Sequence, residues 1–102
     1  MARDRVELQE ILEQVLGSRN VYFQPPENLK LNYPAIVYNH ERYWLNHADN
    51  QQYLNYRKYE IMLIDRNPES VFEKALEDLP MCAFERRFVS DNLHHYVFNI
   101  YF

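Results

Sequence analysis

The sequence predicts an α+β domain with a mainly antiparallel sheet and helices packed on one face, in the order α-β-β-β-α-β-β. Two stretches, one at the start of the chain and a shorter one after residue 67, repeat apolar side chains with helical spacing. The segments between and after them are rich in Tyr, Ile, Val and Phe, which favour strands. A chain of 102 residues can bury a core without disulfides or metal, so we expect a single domain, 1–102.

The first helix is predicted from about residue 5 to residue 16. Asp4 precedes it in the N-cap position, and Glu7 follows three residues later, as in a capping box. Gly17, the only glycine, can adopt the positive φ that ends a helix. The apolar stripe that would face the sheet consists of Leu8, Ile11, Leu12, Val15 and Leu16.

Three strands are predicted next. The first, Val21 to Gln24, is short and is followed by Pro25-Pro26, which removes two backbone donors, so we expect it at an edge. Segments 35–43 and 56–66 also have strand composition. The second of these is apolar on both faces from Ile61 to Ile64, which favours the centre of the sheet.

A second, short helix is predicted before Pro80. Asn67 would be its N-cap and Pro68 its first helical residue. Its apolar face would consist of Phe72, Ala75, Leu76 and Leu79.

The last 22 residues, MCAFERRFVSDNLHHYVFNIYF, predict a β-hairpin that turns at Ser90-Asp91-Asn92. If Val89 lies opposite Leu93, or if the register is shifted from this by two residues, the apolar side chains of both strands share one face. That core face would hold Cys82, Phe84, Phe88, Tyr96, Phe98, Ile100 and Phe102, and the other face Glu85, Arg87, His95 and Asn99.

Acidic residues outnumber basic ones by 15 to 11, which gives a formal net charge of −4. This balance argues against a general nucleic-acid binder or a protein of anionic membranes, because both need a surplus of Lys and Arg. The single cysteine cannot form an internal disulfide, and the first ten residues lack the apolar core of a signal peptide. We expect a protein that folds in a reducing cytoplasm.

The four histidines do not have the spacing of a metal site. His40 and His47 are seven positions apart and belong to no recognised ligand motif. His94 and His95 are neighbours on a predicted strand, so their side chains point to opposite faces and cannot bind one ion together. We therefore expect no metal.

Nucleophilic catalysis is also disfavoured. In the inferred hairpin register Cys82 lies about six residues along the strand from His94, roughly 20 Å, too far for a Cys/His pair. Pairing of Cys82 with His40 or His47 stays open, and a hydrolase using this thiol is a distant alternative. A chain with one glycine has no Gly-rich phosphate loop. We expect no enzyme activity and no cofactor.

Six aromatic rings lie in the polar stretch 38–59. Tyr38 and Tyr59 belong to predicted strands and are expected to cover the sheet. The other four flank the polar sequence WLNHADNQQY and favour a contact with a partner protein, with packing inside a long hairpin or base stacking as alternatives. The predicted contact residues are Tyr43, Trp44, Tyr53 and Tyr56, with a second patch on Tyr22, Phe23 and Tyr33.

Three segments together resemble a known family. They are LQEILEQVLGSRNVYFQPPENLKLNYPAIVY, YEIMLIDRNPES and LPMCAFERRFVSDNLHHYVFNIYF, and they cover most of the chain. They resemble the small phage and prophage proteins of the head-to-tail module of long-tailed viruses. Within that module the chain looks most like a tail terminator, or tail completion, protein.

The resemblance implies a structural virion protein. Such proteins form a ring, expected to be a hexamer, that caps the tail tube and joins it to the head connector. The implied partners are further copies of the chain, the major tail tube protein and the head connector or stopper protein, and the implied location is the virion neck after assembly in the bacterial cytoplasm. The alternatives are another neck component, such as a head-closure or adaptor protein, or a small cytoplasmic inhibitor or regulatory module that binds one protein.

Overall fold

The computed structural model describes residues 4–40 and 57–102, which form five strands and two helices. In chain order these elements are α1 (Arg5–Leu16), β1 (Val21–Phe23), β2 (Ala35–His40), β3 (Lys58–Asp65), α2 (Phe72–Glu77), β4 (Cys82–Ser90) and β5 (Leu93–Tyr101). The mixed α+β class and the element order are confirmed. Residues 41–43 of the second predicted strand, and residue 56 of the third, lie outside the described residues.

The strands lie side by side in the order β1-β2-β3-β5-β4. β1 and β2 run parallel, and the three other neighbouring pairs are antiparallel. β3 is the middle strand, as its two apolar faces predict, and β1 lies at an edge as its short length predicts. The sheet therefore presents two outer edges, a three-residue edge at β1 and a nine-residue edge at β4.

The core lies between one face of the sheet and both described helices. α1 packs against β1 and β2, α2 packs against β4 and β5, and the two helices contact each other. Burial of these side chains supplies the main favourable term in folding. The buried cluster contains Leu8, Leu12, Leu16 and Leu76 from the helices, and Val21, Ile36, Tyr38, Tyr59, Ile61, Leu63, Tyr96, Phe98, Ile100 and Phe102 from the sheet side.

The first helix has the ends that the sequence predicts. The Asp4 carboxylate accepts a hydrogen bond from the Val6 N–H at 3.1 Å. At the other end Gly17 has φ 75°, and its N–H donates to the Glu13 carbonyl. Both ends use local chemistry, which explains why they could be predicted.

The predicted start of the second helix is wrong. Asn67 does not cap α2. Its side-chain oxygen instead accepts the Glu69 N–H at 2.9 Å in a local turn, and the helix begins at Phe72. An Asn side chain that bonds two residues ahead stabilises a turn as readily as a helix start. Of the predicted apolar face, Ala75 is exposed.

The predicted turn of the hairpin is one residue too long. Ser90 pairs with Leu93, so the turn contains only Asp91 and Asn92. These residues have φ 53° and 62°, the combination found in two-residue type I′ turns. The register near the turn is therefore shifted by one residue from the predicted one.

A β-bulge between Phe84 and Arg86 restores the predicted register in the rest of the hairpin. Cys82 lies opposite Ile100 and Phe84 opposite Phe98, as predicted, whereas Phe88 lies opposite His95. The prediction that Phe88 faces the core and Arg87 faces away is therefore wrong. A bulge adds one residue to one strand and exchanges the faces beyond it, which apolar periodicity alone cannot locate.

Candidate protein-contact surface

β4 is an outer strand whose side chains are largely exposed. Only Cys82 is half-buried, and residues 83–90 are exposed. The exposed fractions are 38% for Phe84, 38% for Phe88 and 59% for Val89, and Met81, directly before the strand, is 49% exposed. We call this set, together with the charged residues 85–87, the β4 edge surface.

The exposure of β4 follows from the short second helix. α2 has six residues and buries one side chain, Leu76. Of the β4 side chains, Cys82 is the one that is partly buried against the core cluster. In the described part of the chain, the helices therefore do not cover residues 83–90 of β4.

On the core side, two β4 side chains contact β5. The Phe84 ring packs edge to face against Phe98 with 5.5 Å between centroids. The Arg87 guanidinium lies 5.3 Å from the centre of the Tyr96 ring and donates to the Pro68 carbonyl at 3.2 Å. Phe84 and Arg87 therefore each contact β5 and still remain exposed to solvent.

On the opposite side, Phe88 stacks on His95 with 4.6 Å between centroids and 8° between planes. The Arg86 guanidinium lies 5.9 Å from the Phe88 ring centre and forms an ion pair with Glu85. The Asn99 side chain also donates to Glu85, and with Arg86 it lowers the pKa of this carboxyl group. The middle of the edge therefore carries ordered charges of both signs between apolar side chains.

The contact predicted for the second patch, Tyr22, Phe23 and Tyr33, stays a prediction, and the structure shows where these residues lie. Tyr22 and Phe23 are successive residues of β1, so their side chains point to opposite faces of the sheet. Phe23 packs against the core, with its ring centroid 5.0 Å from that of Tyr38, and the Arg5 guanidinium lies 4.4 Å from the centre of the Phe23 ring. Tyr33 is half-buried and has the Arg66 guanidinium 5.8 Å from its ring centre.

The four residues predicted to form the main contact, Tyr43, Trp44, Tyr53 and Tyr56, lie outside the described residues. The contact assigned to them stays a prediction. Tyr38 and Tyr59, which flank this segment, are buried in the core as expected.

The side chains considered for catalysis are well separated where the structure describes them. Cys82 lies opposite Ile100 and His94 opposite Val89, at the two ends of the β4–β5 ladder. Burial, and to a smaller extent the Glu77 carboxylate, raises the pKa of Cys82 to about 11. A thiol with such a pKa is a poor nucleophile at neutral pH because the thiolate is the reactive form.

Within residues 4–40 and 57–102 there is no group of three or more His, Cys, Asp or Glu side chains arranged to hold a metal ion. The helices of the same residues are too short or too polar to cross a membrane. His47 lies outside the described residues, so its predicted lack of a metal partner stays a prediction.

Sequence reasoning missed the β4 edge surface. The alternation in this strand indicates a core-facing strand, and the wrong register near the turn assigned Phe88 to the core. A signal was present in Glu85-Arg86-Arg87, three consecutive charged residues within a strand. Charged side chains in mid-strand are typical of sheet edges.

A comparison of the chain with protein-family models, with curated proteins and with solved structures finds no match.

Proposed function

We propose that the chain is a structural protein of the phage head-to-tail module, a tail terminator that forms a ring on the tail tube and joins it to the head connector. The resemblance described above supplies the type of assembly. The observation that carries the proposal is the β4 edge surface: large exposed apolar side chains gathered along one edge instead of scattered. Gathered apolar side chains of this kind mark protein contacts.

The charge of the chain is consistent with protein partners. A formal net charge of −4 disfavours phosphate backbones and anionic lipids as main partners. A head-to-tail ring needs two different complementary patches on each copy. We assign one of them to Tyr43, Trp44, Tyr53 and Tyr56.

The test is to add purified protein to phage tails that lack their terminator. Wild-type protein should bind the tail end, stop the growth of overlong tubes and allow heads to attach. Trp44→Ala should remain folded and fail to do so, because a central Trp contributes about 2 kcal/mol or more to many interfaces. The matched control is Leu29→Ser, which changes a residue that is 43% exposed and distant in sequence from this segment.

Two results would contradict the proposal in different ways. If wild-type protein leaves tail length and head attachment unchanged, the chain is not a terminator. If Trp44→Ala and the double variant Tyr53→Ala/Tyr56→Ala both act as well as wild type, the ring contact lies on another surface.

A further inference from the structure

β4 is the outermost strand of the described sheet, so among the described residues no strand pairs with its outer side. In an antiparallel pair, alternate residues exchange hydrogen bonds with the neighbouring strand, and the residues between them turn their N–H and C=O away from it. Ser90 and Leu93 close a two-residue turn and face each other. By alternation Arg87 and Val89 turn their backbone groups outward.

The bulge changes this alternation by one residue. At the start of the hairpin the Tyr101 N–H donates to the Met81 carbonyl at 3.1 Å. Cys82 and Phe84 therefore turn their backbone groups outward in this half of the strand, although the Cys82 N–H already donates to the Leu79 carbonyl at 3.2 Å. The residues whose backbone groups point away from β5 are thus even-numbered before the bulge and odd-numbered after it.

This arrangement is complementary to itself. When two copies of β4 are placed antiparallel around a two-fold axis, Phe84 of one copy can lie opposite Arg87 of the second copy. The same register places Cys82 opposite Val89 of the second copy. In this register, each residue whose backbone groups point away from β5 lies opposite such a residue of the second copy. The side chains of each pair lie on the same face of the joined sheet.

The side chains also match in this register. Phe84 would lie beside the Arg87 guanidinium of the second copy, a cation–π arrangement. Glu85 would lie beside Arg86 of the second copy, so opposite charges meet across the strands. The two-fold axis repeats each contact.

The other sheet edge is a poor partner for β4. β1 has three residues, and the Gln9 side chain already donates to the Val21 carbonyl at 3.0 Å. Among the described strands, β4 is the long strand at a sheet edge, so β4 of a second copy matches it in length.

We propose that β4 pairs antiparallel with β4 of a second copy of this chain, which joins the two described five-stranded sheets edge to edge. This inference names a partner for the β4 edge surface and rests on the proposed function only in treating that surface as a protein contact. The contact uses the same patch twice and therefore closes at two copies, whereas a ring uses two different patches.

The first test measures the oligomeric state by sedimentation equilibrium of the full chain over a wide micromolar range. Wild-type protein should be a dimer in equilibrium with monomer. Arg86→Glu and Glu85→Arg should each raise the dimer Kd, on the order of tenfold, because each places like charges opposite each other twice. The double variant Glu85→Arg/Arg86→Glu should restore the dimer.

Arg19→Glu is the matched control, since it makes the same charge change on an exposed residue outside the sheet. It should leave the Kd within about twofold of wild type if the β4 register is right. A wild-type monomer throughout the range would overturn the proposal. So would a dimer whose Kd does not respond to the β4 charge changes while circular dichroism shows all variants folded.

The second test uses the native thiol to read the register. In the proposed pair Cys82 lies directly opposite Val89 of the second copy, at a Cα separation of about 5.5 Å, which suits a disulfide. Val89→Cys should therefore form covalent dimers when oxidised glutathione is added. Within one copy the two positions lie at opposite ends of the hairpin and cannot react with each other.

Val71→Cys is the control for the second test, because residue 71 is 76% exposed but has no predicted position opposite Cys82. Equal cross-linking of the two variants would overturn the register. The tail assay separates this inference from the proposed function. If wild-type protein caps tails normally but sediments as a monomer, only the β4 pairing is refuted. If wild-type protein forms the dimer but does not cap tails, only the terminator role is refuted.

Discussion

Burial of the Cys82 side chain affects its pKa more than the neighbouring charges do. Removal from water is the larger cause that raises its pKa to about 11, and the Glu77 carboxylate adds to it. A cysteine in an unfolded chain ionises near pH 8.5. The folded state thus binds the thiol proton more tightly than the unfolded state does. The resulting contribution to the free energy of unfolding is complete below about pH 8.5 and is lost as the pH rises towards 11.

We therefore predict slow alkylation of Cys82 in the native protein. At pH 8 iodoacetamide should react at least tenfold more slowly with folded protein than with protein in concentrated urea, because the thiolate is the reacting species. Mass spectrometry of timed samples measures both rates. Equal rates in the two states would show that the thiol is not buried as described.

Tyr38 joins the first helix to the sheet through its hydroxyl group. This hydroxyl donates to the Gln9 side chain at 2.6 Å and accepts from the Arg5 guanidinium at 3.0 Å. Tyr38→Phe should lower the free energy of unfolding by about 1–2 kcal/mol, because the side-chain oxygen of Gln9 loses the hydrogen bond from the Tyr38 hydroxyl. Urea denaturation measures the change.

Tyr59→Phe is the control for this change. Tyr59 is also buried, but its hydroxyl makes no hydrogen bond within the described residues. Tyr59→Phe should lower the free energy of unfolding less than Tyr38→Phe does. The reverse order would show that ring packing, and not the hydroxyl, accounts for the loss.

At the scale of single elements, local chemistry explains what the sequence could predict. The ends of α1 depend on Asp4 and Gly17, which act through their own backbone neighbourhood. The start of α2 was mispredicted because Asn67 has two local choices, a turn or a cap, and packing of Phe72 and Leu76 decides between them. The bulge in β4 has no sequence signature that fixes its position.

The two-residue turn of the hairpin yields a prediction about φ. Asn92 has φ 62°, which Asn and Gly tolerate and β-branched residues do not. Asn92→Val should destabilise the protein by about 1–2 kcal/mol, and Asn92→Gly should not destabilise it. Thermal unfolding of the three proteins checks this, and similar melting temperatures for the Val and Gly variants would contradict the turn type.

β5 lies between β3 and β4 and buries Tyr96, Phe98 and Ile100. Phe98→Ala should cost about 3–5 kcal/mol, a large part of a stability of about 5–15 kcal/mol. Deletion of residues 98–102 should unfold the chain entirely. A cooperative melt of the deletion variant would contradict the interior position of β5 between β3 and β4. Phe84→Ala, at the exposed edge, should lower the free energy of unfolding less than Phe98→Ala.

At the scale of the whole molecule, one core joins all described elements. Both helices and four of the strands contribute side chains to the same buried cluster. We expect one cooperative unfolding transition, as is usual for a small single domain. Removal of any large core side chain should then lower the stability of every element together.

Leu76→Ala tests this at the smallest helix. The variant should lose about 2–5 kcal/mol and show the same urea midpoint by far-UV circular dichroism and by tyrosine fluorescence. Val71→Ala, which changes an exposed residue next to the same helix, should stay within about 0.5 kcal/mol of wild type. Two separate midpoints would indicate that α2 unfolds independently.

Sequence alone was enough to predict the α+β class, the element order, the ends of α1, the central place of β3 and the core face of β5. These features follow from apolar periodicity and from side chains that act on their immediate neighbours. Tertiary structure decided where α2 begins, which face Phe88 and Arg87 occupy, and that β4 lies at an exposed edge. Those features depend on contacts between segments distant in the chain. The β4 edge surface is one of them, because a strand becomes an edge only through the way the other strands pair.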